Sequence, residues 1–199
     1  MGQRANLLKE LKIFDFPGSQ RVRIGSDTDG GYVLLNLGLN SIEVLYSYGV
    51  GDNSDFEAVI CEKYNAIARL YDHTIDSAPL KKDFLYFKKE GVGPKKAHDR
   101  NTIENHINEN DDHGRRLILQ MDVDGAEWDT LLATPNSVLA LFDQIVIEVH
   151  GLATDFSATL NGGEVHQVSI DKKIKVLKKI NDFFTSTMCT QIQEEVCFI

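Results

Sequence analysis

Three side chains suited to acid–base or metal chemistry close two apolar stretches of the sequence. Asp122 follows the run LILQM, and Glu148 and His150 come at the end of QIVIEVH. On an extended strand, Glu148 and His150 point to the same side because they are two residues apart. A neutral imidazole can accept a proton near neutral pH, whereas two carboxylates can hold a divalent cation such as Mg²⁺. The pattern predicts a catalytic site of His150, Asp122 and Glu148, with His150 as general base or, alternatively, Asp122 and Glu148 as metal ligands.

A glycine-rich loop, YGVGDN, separates the apolar stretch EVLYSY from an amphipathic segment. Gly49 and Gly51 allow a ligand to lie against the backbone, and Ser54 with Glu57 has the spacing of a capping box at a helix start. Asp72 ends the next apolar run, where an acid in such folds accepts the hydroxyl protons of a ribose. Together these features favour a nucleoside-containing ligand. The alternatives are a tight turn that binds nothing and an acid that only caps a loop.

The loop lacks one feature of a dinucleotide-binding site. The G-x-G-x-x-G pattern that cradles a pyrophosphate would have its third glycine where this chain has Ser54. This departure favours a nucleoside cofactor without a pyrophosphate, and S-adenosylmethionine is the obvious candidate.

Short apolar runs alternate with amphipathic segments along most of the chain. Residues 5–14 and 170–184 have the apolar spacing of helices, and a Gly and Asp cluster interrupts two extended stretches within 21–35. We interpret residues 1–40 as an N-terminal cap and 41–199 as a single compact domain. The alternation predicts an α/β fold with a mostly parallel sheet, helices on both faces and ligands at the carboxyl ends of the strands.

Five stretches of the sequence resemble FkbM-type and related S-adenosylmethionine-dependent methyltransferases. They are RIGSDTDGGYVLL (23–35), YSYGVGDNSDFE (46–57), LYDHT (70–74), LQMDVDGAEWDTL (119–131) and IVIEVHGL (145–152). They occur in the family's order, and the run MDVDGAEW is the most specific of them. The final segment, TMCTQIQEEVCFI, is shorter and less recognisable than is usual in the family.

The resemblance implies a Rossmann-like class I methyltransferase fold, with a seven-stranded sheet and an antiparallel final strand. It also implies O-methylation of a hydroxyl on a sugar, a glycan precursor or another small polar acceptor. The residues expected to bind the cofactor are Asp29, Gly30, Tyr48, Gly49, Gly51, Asp52, Asp72, Gly91, Val92 and Asp122. Of these, Asp29 and Gly30 belong, with Gly31 and Tyr32, to a loop that is expected to close over the cofactor.

Charge and cysteine content limit the partners. Lys and Arg total 21 against 30 Asp and Glu, a net charge of −9, which opposes a broad nucleic-acid or anionic-lipid surface. The three cysteines form no disulfide or zinc pattern, and no apolar run is long enough to span a membrane, so we expect a cytoplasmic protein. Lysines are concentrated within residues 81–96, which indicates either a phosphorylated or nucleotide-linked acceptor or a solvated strand edge.

Two other functions fit the sequence less well. A protein with this fold could be a non-catalytic binding or assembly partner, or an NAD-linked oxidoreductase. Binding of S-adenosylhomocysteine with turnover, binding without turnover, and binding of NADH would distinguish the three.

Overall fold

A parallel β-sheet covered by helices forms the centre of the chain in the computed structural model, which describes residues 2–11, 18–152, 156–160, 164–190 and 197–198. The strands are β1 (Arg21–Gly25), β2 (Gly31–Leu35), β3 (Val44–Tyr48), β4 (Ile67–Tyr71), β5 (Leu85–Lys88), β6 (Gly91–Val92), β7 (Arg100–Asn101), β8 (Leu117–Met121), β9 (Phe142–Ile147), β10 (Phe156–Leu160), β11 (Glu164–Val168) and β12 (Cys197–Phe198). The helices are α1 (Gln3–Glu10), α2 (Asp55–Tyr64), α3 (Ile103–Asn110), α4 (Glu127–Ala133), α5 (Asn136–Leu139) and α6 (Ile170–Thr190).

The sheet has the strand order β12-β9-β8-β3-β4-β5 over the described residues, and every pair in it is parallel. From β3 the chain builds outward to β4 and β5, and then returns to β8 on the other side of β3. All side chains of β3 and β8 are buried, as expected for central strands that are covered on both faces. The change of direction leaves a crevice between β3 and β8 at their carboxyl ends, where such folds bind ligands.

Two apolar clusters fill the space on the two faces of the sheet. One contains residues of β1, β2 and α2, including Ile24, Leu34, Phe56 and Ile60. The other contains residues of α3, α4, α5 and α6, including Trp128. The predicted parallel sheet with helices on both faces is therefore confirmed. The hairpin β1–β2 of the expected N-terminal cap packs into the same core as the sheet.

The final strand differs from the prediction. β12 runs parallel to β9, whereas an antiparallel last strand was expected. The reason lies in the connection, because the long helix α6 carries the chain back along the sheet before β12 begins, and such a crossover produces a parallel neighbour. The described residues form six strands of this sheet, and the expected seven stay a prediction. An antiparallel hairpin, β10–β11, also lies between β9 and α6.

Helix boundaries differ slightly from those expected. α1 covers Gln3–Glu10 and so begins two residues before the predicted 5–14 segment, of which residues 12–14 lie outside the described residues. α6 begins at Ile170 as expected and extends to Thr190. None of the helices in the described ranges is both long and apolar enough to cross a membrane.

Candidate functional site

A cleft lies at the carboxyl ends of β3, β4 and β8, at the point where the sheet changes direction. It encloses about 260 Å³, near the lower end of small-molecule sites, which occupy roughly 300–1,000 Å³. Most of the residues expected to bind a cofactor line it, namely Asp29, Gly30, Gly49, Gly51, Asp52, Asp72, Gly91, Val92 and Asp122. The loops after these three strands bring together residues as far apart in sequence as Gly49 and Ala126.

The glycine loop after β3 lies directly against the loop after β8. The amide of Asp122 donates to the carbonyl of Tyr48 at 2.9 Å, and Gly49 has a φ of 81°. A Cβ atom on Gly49 would lie 1.6 Å from the carbonyl oxygen of Asp122, so only glycine fits. Gly51 has a φ of 58°, but a Cβ there would meet no atom within 4 Å. The two glycines therefore serve different purposes, close packing at Gly49 and an unobstructed turn at Gly51.

Asp72 holds the glycine loop and its own turn in place. One carboxylate oxygen accepts a hydrogen bond from the amide of Gly51 at 2.9 Å, and the other accepts from the amide and the hydroxyl of Thr74, both at 2.7 Å. Burial opposes ionisation of Asp72, but these hydrogen bonds outweigh it and lower its pKa. A carboxylate has about four acceptor positions, so three are used and room remains for one ribose hydroxyl instead of the expected two.

The loop between β1 and β2 packs on the cleft, while its expected closure over a cofactor stays a prediction. The Tyr32 hydroxyl donates to Asp122 at 3.0 Å, and the side-chain amide of Asn53 donates to the carbonyl of Asp29 at 3.2 Å. The ring of Tyr32 also packs edge-on against Phe56, with 5.0 Å between the ring centroids. These contacts hold the cap hairpin against the mouth of the cleft.

The predicted catalytic residues meet at the rim of the cleft, where Asp122 lines the cleft and Glu148 and His150 lie beside Asp122 without lining it. Nε2 of His150 lies 3.7 Å from Asp122, 3.6 Å from Asp124 and 3.9 Å from Glu148. On the other side of the imidazole, Nδ1 lies 3.3 Å from the fully buried carboxylate of Glu127, which also accepts the backbone amide of His150 at 2.7 Å. Glu127 therefore orients the ring so that Nε2 faces the acidic rim. The structure brings His150, Asp122 and Glu148 together, as predicted from their strand-end positions.

The same three side chains could also hold a metal ion. One donor atom each from Asp122, Glu148 and His150 lies within 4.8 Å of the other two. Two carboxylates and an imidazole suit divalent cations such as Mn²⁺ or Zn²⁺, and a buried carboxylate behind the imidazole is the usual outer support of such a ligand. Burial and the nearby Glu148 raise the pKa of Asp122 to about 6, against the hydrogen bond from Tyr32.

Two sequence-based assignments are wrong in detail. Tyr48 does not line the cleft, because its side chain is fully buried and its hydroxyl lies 3.1 Å from Nδ1 of His106. Ser54 and Glu57 form no capping box. Ser54 accepts the amide of Leu80, and Glu57 contacts the Ser47 hydroxyl beneath the cleft.

Several polar residues of the cleft were not predicted as site residues from the sequence, among them Glu57, Gln120, His73 and Arg100. Nη2 of Arg100 lies 3.1 Å from Nε2 of His73, beside Gly91, one of the residues expected to bind the cofactor. A signal for Glu57 was present, because it shares its helix face with the buried apolar residues of α2. A charged residue on a buried face needs a polar partner or a ligand.

The lysine-rich segment is largely compensated by acids. Lys88 pairs with Glu90 at 2.7 Å and with Glu109 at 2.8 Å, and Lys82 pairs with Glu62 at 3.0 Å. These pairs favour the interpretation of the segment as a solvated strand edge. A phosphorylated acceptor therefore stays a prediction.

Comparisons of the chain with protein-family models, with curated proteins and with solved structures found no match. The likeness to the FkbM-type methyltransferases therefore remains a prediction from the five sequence stretches.

Proposed function

We propose that this protein is an S-adenosylmethionine-dependent methyltransferase that acts on a hydroxyl group of a sugar or another small polar acceptor. The observation that carries the proposal is the acid-lined cleft at the point where the sheet changes direction. Its glycine loop lies between Asp72 on one side and the acidic rim at Asp122 on the other, which would suit a nucleoside joined to an amino acid.

The charge of the cleft favours this donor over a dinucleotide. Among the described residues that line it, six carry a carboxyl group and one is an arginine. A pyrophosphate would be repelled by these acids, since like charges at short range disfavour binding. S-adenosylmethionine, in contrast, carries a positive sulfonium and an ammonium against a single carboxylate. An NAD-linked reaction is therefore the weaker interpretation.

When bound, the donor supplies a methyl group that is activated by its positive sulfur. The residues of this chain then have to align the reactants and remove one proton, since methyl transfer is an in-line displacement. Asp72 would accept one ribose hydroxyl, and the glycine loop, whose Gly49 and Gly51 amides already donate to the Tyr71 carbonyl and to Asp72, would lie beside the amino-acid end. Nε2 of His150 would take the proton that the acceptor hydroxyl loses as the new oxygen–carbon bond forms and the carbon–sulfur bond breaks, its electron pair staying on the sulfur. If the rim held a divalent cation, Asp122, Glu148 and His150 would be its ligands, and the cation would acidify the acceptor hydroxyl.

The proposal is tested by calorimetric titration with S-adenosylhomocysteine, with NADH as the competing ligand. We expect the wild type to bind S-adenosylhomocysteine and not NADH. Asp72→Asn should weaken that binding about 10-fold, the effect of losing one charge-assisted hydrogen bond. The matched control is Asp76→Asn in the same turn, whose side chain is 92% exposed and which should change binding less than twofold.

The turnover step is tested with donor carrying a radiolabelled methyl group and extracted saccharide as acceptor. Label should move to the saccharide, and His150→Ala should abolish the transfer while the donor still binds. Loss of turnover in EDTA and its recovery with Mg²⁺ would assign the rim to a metal. Binding of NADH, or no heat with S-adenosylhomocysteine, would overturn the proposal.

A further inference from the structure

We propose that Glu57 forms an ammonium-binding subsite at the floor of the cleft and takes the α-amino group at the methionyl end of the donor. This inference rests on the proposed function. It assigns a ligand-binding role to a residue outside the catalytic rim.

Glu57 lies on the inward face of α2, where it lines the cleft with only 3% of its surface exposed. Its helix neighbours on that face, Ile60 and Cys61, are buried apolar residues. A carboxylate in such a position has lost most of its hydration and needs a hydrogen-bond donor or a cation in exchange.

The protein supplies few donors to this carboxyl group. Its own backbone amide donates to it. Its side-chain partner is the Ser47 hydroxyl at 2.5 Å, and that hydroxyl is also 2.8 Å from Oε1 of Gln120. A hydroxyl has one proton, so it can satisfy only one of these two oxygens. The other contact needs a proton on Glu57 or a reversed Gln120 amide. In either arrangement, the Glu57 carboxyl group has fewer hydrogen-bond donors than an ionised carboxylate can accept.

Cations are also missing around Glu57. Within the described residues, no ion pair joins it to a lysine, arginine or histidine. Burial accordingly raises the pKa of Glu57 to about 7. A ligand ammonium has three N–H donors and a positive charge, which are the two things that this carboxylate lacks.

The position of Glu57 agrees with the direction of the donor. Ser47, its partner, lies two residues before Gly49, opposite Gln120 of β8 in the sheet register. The amino-acid end of the donor is the part expected beside this glycine loop, while Asp72 marks the ribose. An ammonium at the α-carbon would therefore face the floor of the cleft at Glu57.

The test compares two ligands on two variants at pH 8. The ligands are S-adenosylhomocysteine and its deamino analogue, in which hydrogen replaces the α-amino group. We expect the wild type to prefer S-adenosylhomocysteine by about 10- to 100-fold, the range for a hydrogen bond between charged groups. Glu57→Gln should remove most of this preference and leave binding of the deamino analogue within about threefold. The matched control, Glu62→Gln on the exposed side of α2, should keep the preference.

The number of protons released when the ligand binds provides a second measurement. Substitution of a residue with only a structural role would not change this number. Calorimetry at pH 6 in buffers of different ionisation enthalpy should show that the wild type releases a proton when S-adenosylhomocysteine binds, and that Glu57→Gln does not. Equal binding of the two ligands by the wild type, or equal weakening of both by Glu57→Gln, overturns the subsite and leaves the proposed function standing. No binding of S-adenosylhomocysteine to the wild type overturns both.

Discussion

Gly49 is the residue at which the two central loops of the site meet. Its missing side chain allows the glycine loop to lie against the carbonyl of Asp122, and its positive φ adds a second reason for glycine. Gly51 shares the positive φ but faces open space. The pair therefore separates the steric cost of a side chain from the cost of the backbone conformation.

We predict that Gly49→Ala lowers the free energy of unfolding by roughly 3 kcal/mol or more, because the new methyl group displaces a backbone carbonyl. Gly51→Ala should cost only about 1 kcal/mol, the penalty of the left-handed conformation. Urea denaturation of both variants measures the difference. Similar losses at the two positions would show that the loops are not held in close contact.

Sequence reasoning succeeded for residues whose role follows from local spacing. The strand-end positions of Asp122, Glu148 and His150 predicted a shared rim, because parallel strands end at one edge. It failed for Tyr48 and Glu57, whose roles depend on which face of an element is buried. The S-x-x-E spacing suggested a cap, whereas Glu57 turns inward because the sheet offers it the Ser47 hydroxyl.

At the scale of elements, the alternation of strands and helices was predictable because each segment has its own periodicity. The hairpin β10–β11 and the direction of β12 were not, since they depend on pairing between distant segments. The docking of the cap hairpin on the sheet is also a long-range feature. Gln144 of β9 contributes to it, because it accepts the amide of Leu35 at 3.0 Å and donates to the carbonyls of Leu35 and Leu37 at 2.9 and 2.8 Å.

We predict that Gln144→Ala lowers the free energy of unfolding by about 2–4 kcal/mol, because buried backbone groups lose their partner. The exposed Gln20, at the start of the hairpin, provides the control, and Gln20→Ala should change stability by less than about 0.5 kcal/mol. Chemical denaturation should show one cooperative transition for each variant. A separate early transition in Gln144→Ala would mean that residues 1–40 fold as a unit of their own.

At the scale of the whole molecule, acidity is concentrated where the ligand is expected. The net charge is −9, and part of it lies in the cleft, with Glu57 and Asp122 buried enough that the pKa values rise to about 7 and about 6. Such groups reduce the stability of the unliganded protein at neutral pH, a cost that is common at binding sites. Burial lowers the pKa of His106 to about 4. This imidazole is therefore harder to protonate in the folded protein, and it reduces the free energy of unfolding at acidic pH instead of at neutral pH.

The stability that is lost when the buried Glu57 ionises gives a pH-dependent prediction. A carboxyl group with a pKa of about 7 when folded, against about 4.3 when unfolded, holds its proton longer in the folded state. Its contribution to the free energy of unfolding therefore falls as the pH rises from about 4 to about 7, and is constant above that.

Glu57→Gln imitates the protonated form at every pH and avoids this loss. We expect its stability relative to the wild type to rise by roughly 3 kcal/mol between pH 4.5 and pH 8. Denaturation of both proteins across that range measures the difference, and the contributions of His106 and Asp122 cancel because both proteins contain them. If the difference in the free energy of unfolding between the two proteins did not change with pH, Glu57 would already be ionised and paired with a cation in the unliganded protein. It would then be unsuited to bind a ligand ammonium.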